Sequence, residues 1–132
     1  VKAAKDATRL PVLATMTFQD EAHGHRTLMG VTPEQAATAL LDAGADAVGA
    51  NCGEGPAVAH AVIRRMRAAV PGARLIAKPN AGPFASDHAG FARAQRGIHD
   101  DGAALLGGCC GTGPQHLAHL VSALSPSGER GG

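Results

Sequence analysis

The chain has 132 residues, a hydrophobic content of 45% and a formal charge of +1. This length supports one domain at most, and a charge so near zero argues against a protein that binds nucleic acid through a basic surface. Trp and Tyr are absent, which also removes the aromatic platforms on which single-stranded nucleic acid stacks. No apolar run approaches the roughly 18 residues that span a bilayer, so the sequence predicts no membrane protein, and a cytoplasmic setting is expected.

The first 30 residues predict a short helix, a strand and a loop. VKAAKDATRL is rich in residues that favour a helix and is interpreted as a helix end. PVLATMTF, residues 11–18, is an apolar run with Pro at its start, where a missing N–H does least harm, and predicts a strand. Residues 19–30 are charged, show no period and predict a long loop.

A well-marked helix follows this loop. Thr32 is suited to the N-cap position and Pro33 to the first helical position, and the pattern ends at Gly44. Three further strands alternate with three further helices. The predicted strands are ADAVGAN (45–51), ARLIAKPN (73–80) and AALLGG (103–108). The predicted helices are 56–70, 88–102 and 114–124.

Four apolar strands alternating with amphipathic helices predict an α/β fold with a parallel sheet. This number of units suits a small open sheet or half of an eight-stranded barrel, whose usual length is about 250 residues. No GxGxxG or GxxxxGK[ST] motif follows a strand, so a nucleotide-binding open sheet loses its main support. Residues 1–124 are assigned to this partial domain, and residues 125–132 predict a flexible tail.

All three cysteines directly follow predicted strands. Cys52 comes after ADAVGAN, and Cys109 and Cys110 come after AALLGG. In parallel α/β folds the carboxyl edge of the sheet carries the chemistry, so the three thiols are expected to meet there. Three thiolates around one Zn²⁺ leave the fourth tetrahedral position open, as in catalytic zinc sites. Glycines on both sides of the cysteine pair allow the sharp turn that this requires.

Two other interpretations of the cysteines remain open. A free Cys is often a small buried apolar residue, which suits Cys52 taken alone. It suits Cys109 and Cys110 poorly, because adjacent strand residues point to opposite faces. A vicinal disulfide is also conceivable, but it is strained and leaves Cys52 unexplained.

Three motifs carry a resemblance to a known family. ADAVGANCGEGP, LIAKPNAGP and GGCCGTGPQH, in this order, closely resemble motifs of the homocysteine-binding zinc barrel of the homocysteine S-methyltransferase family. PVLATMTF and GHRTLMG are similar to the preceding strand and loop. These two segments resemble the N-terminal module of cobalamin-dependent methionine synthase more than they resemble the betaine-using branch. The resemblance extends from Pro11 to Leu124.

The resemblance implies a fold, a metal site and a reaction. The fold is the C-terminal half, strands five to eight, of a (β/α)₈ TIM barrel. Cys52, Cys109 and Cys110 become the three zinc ligands, and Asn80 becomes an exchangeable fourth ligand. Homocysteine, held as a thiolate, attacks an activated methyl group to give methionine. The family's first four strands are not in this sequence, so the chain alone is expected to be inactive.

The resemblance also bounds the partners. Homocysteine is the acceptor, and the methyl donor is of the methylcobalamin, S-methylmethionine or betaine type. Cobalamin or folate enters only through other domains. A non-catalytic zinc- or thiol-binding remnant of such a barrel is the alternative function. A half barrel exposes two strand edges, which predicts self-association.

Asn51 and Thr112 join Asn80 as substrate-binding candidates. Asn51 precedes Cys52 and either orients its loop or is a turn residue. Thr112 is placed to cap the last helix, where free N–H groups could receive a carboxylate, and a plain N-cap is the alternative.

Two histidines lie three residues apart on the last helix. His116 and His119 could share a metal ion, but a solvated face carrying both is expected instead.

Overall fold

The computed structural model describes residues 1–125 and contains all the predicted strands and helices. The strands are β1 (Leu13–Met16), β2 (Ala47–Cys52), β3 (Leu75–Pro79) and β4 (Ala103–Leu106). The helices are α1 (Lys2–Ala7), α2 (Pro33–Asp42), α3 (Pro56–Ala69), α4 (His88–Asp100) and α5 (Pro114–Leu124). Residues 126–132 of the predicted tail lie outside the described residues.

The four strands form one parallel sheet in the order β1-β2-β3-β4. Sequence order and spatial order coincide, as they do around a (β/α)₈ barrel. The α/β class is therefore confirmed, and the arrangement is consistent with half of such a barrel. Within residues 1–125, β1 and β4 each pair with one strand only, which leaves the two free strand edges that the half barrel predicts. Self-association through these edges stays a prediction.

The hydrophobic core lies between the sheet and the helices α2 to α4. From α3, Ile63 and Met66 are fully buried against Val48 of β2 and Leu75 of β3. Full burial of each such side chain contributes about 1.5–3 kcal/mol before entropy is counted. This packing fixes the strands relative to one another, and so fixes where their carboxyl ends lie.

Helix α2 begins as predicted, with a reciprocal capping box. The Gln35 N–H donates to the Thr32 hydroxyl oxygen at 3.2 Å, and the Thr32 N–H donates to the Gln35 side-chain oxygen at 3.0 Å. Gly44, with φ 100°, then turns the chain toward β2.

Two short 3₁₀ turns were not predicted. Glu21–His23 lies within the long loop, and Gly82–Phe84 follows β3. No helix among residues 1–125 is both long enough and apolar enough to cross a lipid bilayer.

Candidate metal centre

The three cysteine thiols meet at the carboxyl edge of the sheet, as predicted. β3 lies between β2 and β4, so Cys52 and the pair Cys109–Cys110 arrive from opposite sides of one strand. Their three Sγ atoms all lie within 4.8 Å of one another, and the Sγ atoms of Cys52 and Cys109 are 2.9 Å apart. All three cysteines are free, so no vicinal disulfide joins the pair.

The backbone at Cys52 has an uncommon conformation. Its φ of 57° lies in the left-handed region, which costs a residue with a side chain about 1–2 kcal/mol. The chain leaves β2 at this residue in a sharp turn, and the thiol of Cys52 comes to lie against that of Cys109. Strained residues of this kind cluster at functional sites.

Glycines shape the turn that carries the other two thiols. Gly111 has a φ of 79°, which residues with a Cβ rarely adopt. A Cβ built on Gly108 would lie 2.3 Å from the Thr112 hydroxyl oxygen, so only glycine fits there. The predicted role of the glycines around Cys109 and Cys110 is therefore confirmed.

Asn80 connects the two cysteine-bearing loops. Its Nδ2 donates to the Gly53 carbonyl at 2.7 Å, and its Oδ1 accepts the Cys110 N–H at 3.0 Å. Its own N–H donates to the Cys52 carbonyl at 3.2 Å. The residue after β3 thus spans the site. As a fourth ligand, Asn80 would use the second lone pair of Oδ1 or release Cys110.

The closest two thiols form one electrostatic unit. Their mutual hydrogen bond raises the pKa of Cys52 and lowers the pKa of Cys109. Asn51 opposes the rise, because its Nδ2 donates to the Cys52 Sγ at 3.3 Å. Either sulfur could donate the hydrogen bond between them, and a metal that binds both as thiolates must displace their protons.

The donor set fits Zn²⁺. Thiolate ligands suit zinc, and a Zn–S bond of about 2.3 Å gives a tetrahedral sulfur–sulfur edge of roughly 3.8 Å. The 2.9 Å separation and the 4.8 Å limit bracket that edge. Cys52 and Cys109 are half-buried and Cys110 is exposed, so the cluster is open on its solvent side.

The prediction that Thr112 caps the last helix is wrong. Helix α5 begins at Pro114, and its N-cap is Gly113. Thr112 lies one residue too early, and its hydroxyl donates to the Cys109 carbonyl at 2.7 Å. It stabilises the cysteine turn instead. Asn51 lies within β2, and its amide also reaches the Thr17 hydroxyl at 3.4 Å; its orienting role stays a prediction.

The prediction of a solvated His116 is also wrong, whereas His119 is exposed as expected. His116 is 3% exposed; its Nδ1 accepts the Gly113 N–H at 3.0 Å and its Nε2 donates to the Phe84 carbonyl at 2.9 Å. A signal was present, because His116 stands three residues after the N-cap, at the capping-box spacing.

Gln95 was missed as well. It is fully buried on α4, and its Nε2 donates to the Gly107 carbonyl at 2.5 Å. Its position three residues before the buried Ile98 places it on the apolar face of the helix, which was the available signal.

Comparison with known proteins supplies the family. A family model described as homocysteine S-methyltransferase matches residues 1–124. The chain belongs to the homocysteine S-methyltransferase family. Among curated members, betaine–homocysteine S-methyltransferase 1 of Mus musculus is 30% identical over 99% of this chain and 37% of its own length. S-methylmethionine–homocysteine S-methyltransferase of Pongo abelii is 30% identical over 99% of this chain and 41% of its own length.

Methionine synthase of Mycobacterium tuberculosis is 32% identical over 88% of this chain and 10% of its own length. This member of the family therefore spans well under half the length of these relatives. Identities of 30% and 32% are nearly equal, so the assignment to the methionine synthase branch stays a prediction.

Proposed function

We propose that this chain forms the metal-binding half of a zinc-dependent homocysteine S-methyltransferase, with Cys52, Cys109 and Cys110 as the zinc ligands. The observation that carries the proposal is the convergence of three free thiols within 4.8 Å at the carboxyl edge of the sheet. Three protein ligands with an open fourth position are the donor set of a catalytic zinc site.

Bound zinc would lower the pKa of the homocysteine thiol and so supply a thiolate near neutral pH. The homocysteine sulfur donates an electron pair to the methyl carbon of the donor. The bond between that carbon and the donor breaks, its electron pair stays with the donor, and the sulfur becomes the thioether of methionine. The chain's own residues fix the geometry: Asn80 spans the two cysteine loops, and Asn51 orients the Cys52 thiol.

The same proposal covers substrate contacts. Asn51, Asn80 and Thr112 surround the cysteines and form the substrate-binding set, with Asn80 as the exchangeable fourth ligand. Each already has a hydrogen bond to one of the cysteines, through its side chain or its backbone. A substrate that displaced one of these bonds would also move a thiol.

The methyl donor belongs to the betaine, S-methylmethionine or methylcobalamin type, since the relatives' names include the first two donors and methionine synthase. Cobalamin or folate would act through other domains. Residues 1–124 form one partial domain that is inactive alone, because contacts to the homocysteine amino group are expected elsewhere. A cytoplasmic setting is part of the proposal, since thiols stay reduced there.

Methionine formation tests the proposal. A full-length protein that carries this chain is incubated with homocysteine and each donor type, alongside its Cys110→Ala variant. The proposal expects turnover with at least one donor and a loss of at least 100-fold in the variant. Stoichiometric zinc without turnover with any donor would instead support the non-catalytic remnant.

A further inference from the structure

Within the loop that carries Cys109 and Cys110, the N–H and the hydroxyl of Thr112 both donate to the Cys109 carbonyl, at 3.1 and 2.7 Å. Between Gly107 and Gly113 the loop reads GGCCGTG, so more than half of its residues are glycines. Glycine has the greatest backbone freedom of any residue, and local preferences therefore leave the positions of the two thiols undetermined. Backbone bonds to Pro79 and Ala81 hold the two cysteines themselves, and contacts from outside the loop hold its ends.

Two buried polar side chains hold the ends of this loop. Gln95 of α4 donates to the carbonyl of Gly107, the first residue, at 2.5 Å. His116 of α5 accepts from the N–H of Gly113, the last residue, at 3.0 Å. Gln95 and His116 are 0% and 3% exposed, and within residues 1–125 the only other buried polar side chain is Thr27. Two of these three buried polar side chains therefore form hydrogen bonds with this one loop.

His116 also joins the loop to the segment that carries Asn80. Its Nε2 donates at 2.9 Å to the carbonyl of Phe84, which ends the 3₁₀ turn after β3. Since Nδ1 accepts and Nε2 donates, one tautomer of the neutral ring is fixed. The ring packs edge-on against Phe91 at 5.2 Å between centroids, so it has little freedom to rotate. His116 therefore fixes the cysteine loop relative to the strand that lies between the thiols.

The side-chain oxygen of Gln95, Oε1, is buried and makes no hydrogen bond of its own among the described residues. A buried acceptor without a partner destabilises the fold, and a methionine of similar volume would avoid that cost. Core stability is therefore a poor explanation for an amide here, whereas the hydrogen bond to Gly107 explains it.

We infer that Gln95 and His116 are positioning residues that set the spacing of the metal-binding thiols, an inference that rests on the proposed zinc site. They touch no thiol in the structure and act through the two ends of the loop. Groups that hydrogen-bond metal ligands directly are typically worth 10–100-fold in metal affinity, and Gln95 and His116 act one step further out, on the ends of the loop that carries the ligands.

The test for Gln95 uses the full 132-residue chain and two matched variants. Gln95→Met keeps the volume and removes the hydrogen bond, whereas Ile98→Val trims the same helix at a fully buried site away from the loop. Zinc affinity is measured by chelator competition, ligand geometry by the thiolate and d–d absorption bands of bound Co²⁺, and stability by the Tm of the metal-free chain. We expect zinc binding to weaken about 10–100-fold in Gln95→Met alone, with altered Co²⁺ bands.

The test for His116 separates positioning from packing. His116→Leu fills the space without hydrogen bonds, and His116→Gln restores a donor toward Phe84. The inference expects zinc affinity to fall in the Leu variant and to recover in the Gln variant, with exposed His119→Leu matching wild type. A packing role predicts the opposite order, because Leu fills an apolar site better than Gln.

Three results would overturn the inference. The first is a zinc affinity equal to that of wild type in both Gln95→Met and His116→Leu. The second is a loss of zinc affinity in Ile98→Val as large as that in Gln95→Met. Wild-type chain that binds no zinc would instead defeat the proposed function itself, and the inference with it.

Discussion

The Sγ atoms of Cys52 and Cys109 lie 2.9 Å apart, although 57 positions separate the two residues in the sequence. The parallel sheet explains this approach, since both residues follow strands that flank β3. The pair shares a hydrogen bond and a third thiol lies within 4.8 Å, which gives the edge of the sheet a concentrated set of sulfur ligands.

Asn80 is expected to support both the fold and the metal site. Asn80→Ala removes the hydrogen bonds to Gly53 and Cys110, so the free energy of unfolding should fall by about 1–3 kcal/mol. Zinc affinity should fall with it, because the side-chain connection between the two cysteine loops is lost. Urea unfolding and chelator competition measure the two effects.

Asn80→Asp is the matched control. The carboxylate still accepts the Cys110 N–H but cannot donate to Gly53, so it should retain more zinc affinity than Asn80→Ala. Equal affinity in wild type, Asp and Ala variants would show that Asn80 has no part in the site.

A side chain at Gly111 is expected to destabilise the fold. Its φ is 79°, and a Cβ would lie 3.3 Å from the Cβ of Ala81. Gly111→Ala should therefore lower the free energy of unfolding by about 1–2 kcal/mol. Gly72→Ala is the control, because a Cβ there meets nothing within 4 Å and its φ is ordinary. Equal stability of the two variants in urea would contradict the left-handed turn.

Thr32 anchors helix α2 through the capping box. Thr32→Ala should lower the free energy of unfolding by about 1 kcal/mol, since the N–H of Gln35 loses its acceptor. Thr38→Ala, on the exposed face of the same helix, should be neutral or slightly stabilising. Thermal and urea unfolding of both variants measure these changes. A loss of stability in Thr38→Ala as large as that in Thr32→Ala would contradict the capping role of Thr32.

The ion pair between Glu34 and Arg65 should make stability pH-dependent. Two hydrogen bonds of 2.6 and 2.8 Å from Arg65 lower the pKa of Glu34 to about 2. A depressed carboxyl pKa stabilises the fold above the unfolded value of 4.5, and this contribution is lost as the pH falls toward 2. Because the pair is partly exposed, the coupling at neutral pH should be about 0.5–1 kcal/mol.

A double-mutant cycle of Glu34→Gln and Arg65→Met measures this coupling by urea unfolding at several pH values. The cycle also removes the separate contribution of the hydrogen bond from Arg65 to the Gly24 carbonyl. A coupling energy that stays constant between neutral pH and pH 3 would refute the assignment.

Much of this architecture could be predicted from the sequence. Apolar runs marked the strands, and Thr32 and the prolines at helix starts marked α2, α3 and α5, because these are local signals. The meeting of Cys52 with Cys109 and Cys110 followed from one further rule, that the carboxyl ends of parallel strands share an edge.

The tertiary hydrogen bonds could not be predicted in this way. Thr112 looked like a helix cap, but Gly113 is the N-cap of α5. The Thr112 hydroxyl donates to the Cys109 carbonyl within the turn instead. His116 and Gln95 looked like ordinary helix residues, because Phe84 and Gly107, which accept their hydrogen bonds, lie on other elements. Such contacts depend on how α4 and α5 pack, which no local pattern encodes.

The zinc content of the chain decides whether the three cysteines form a metal site. The purified 132-residue chain and its Cys52→Ala variant are loaded with Zn²⁺, desalted and analysed for metal per chain. We expect close to one zinc per wild-type chain and much less in the variant, since a two-thiol site binds far more weakly. Equal zinc in both proteins, or none in either, would contradict it.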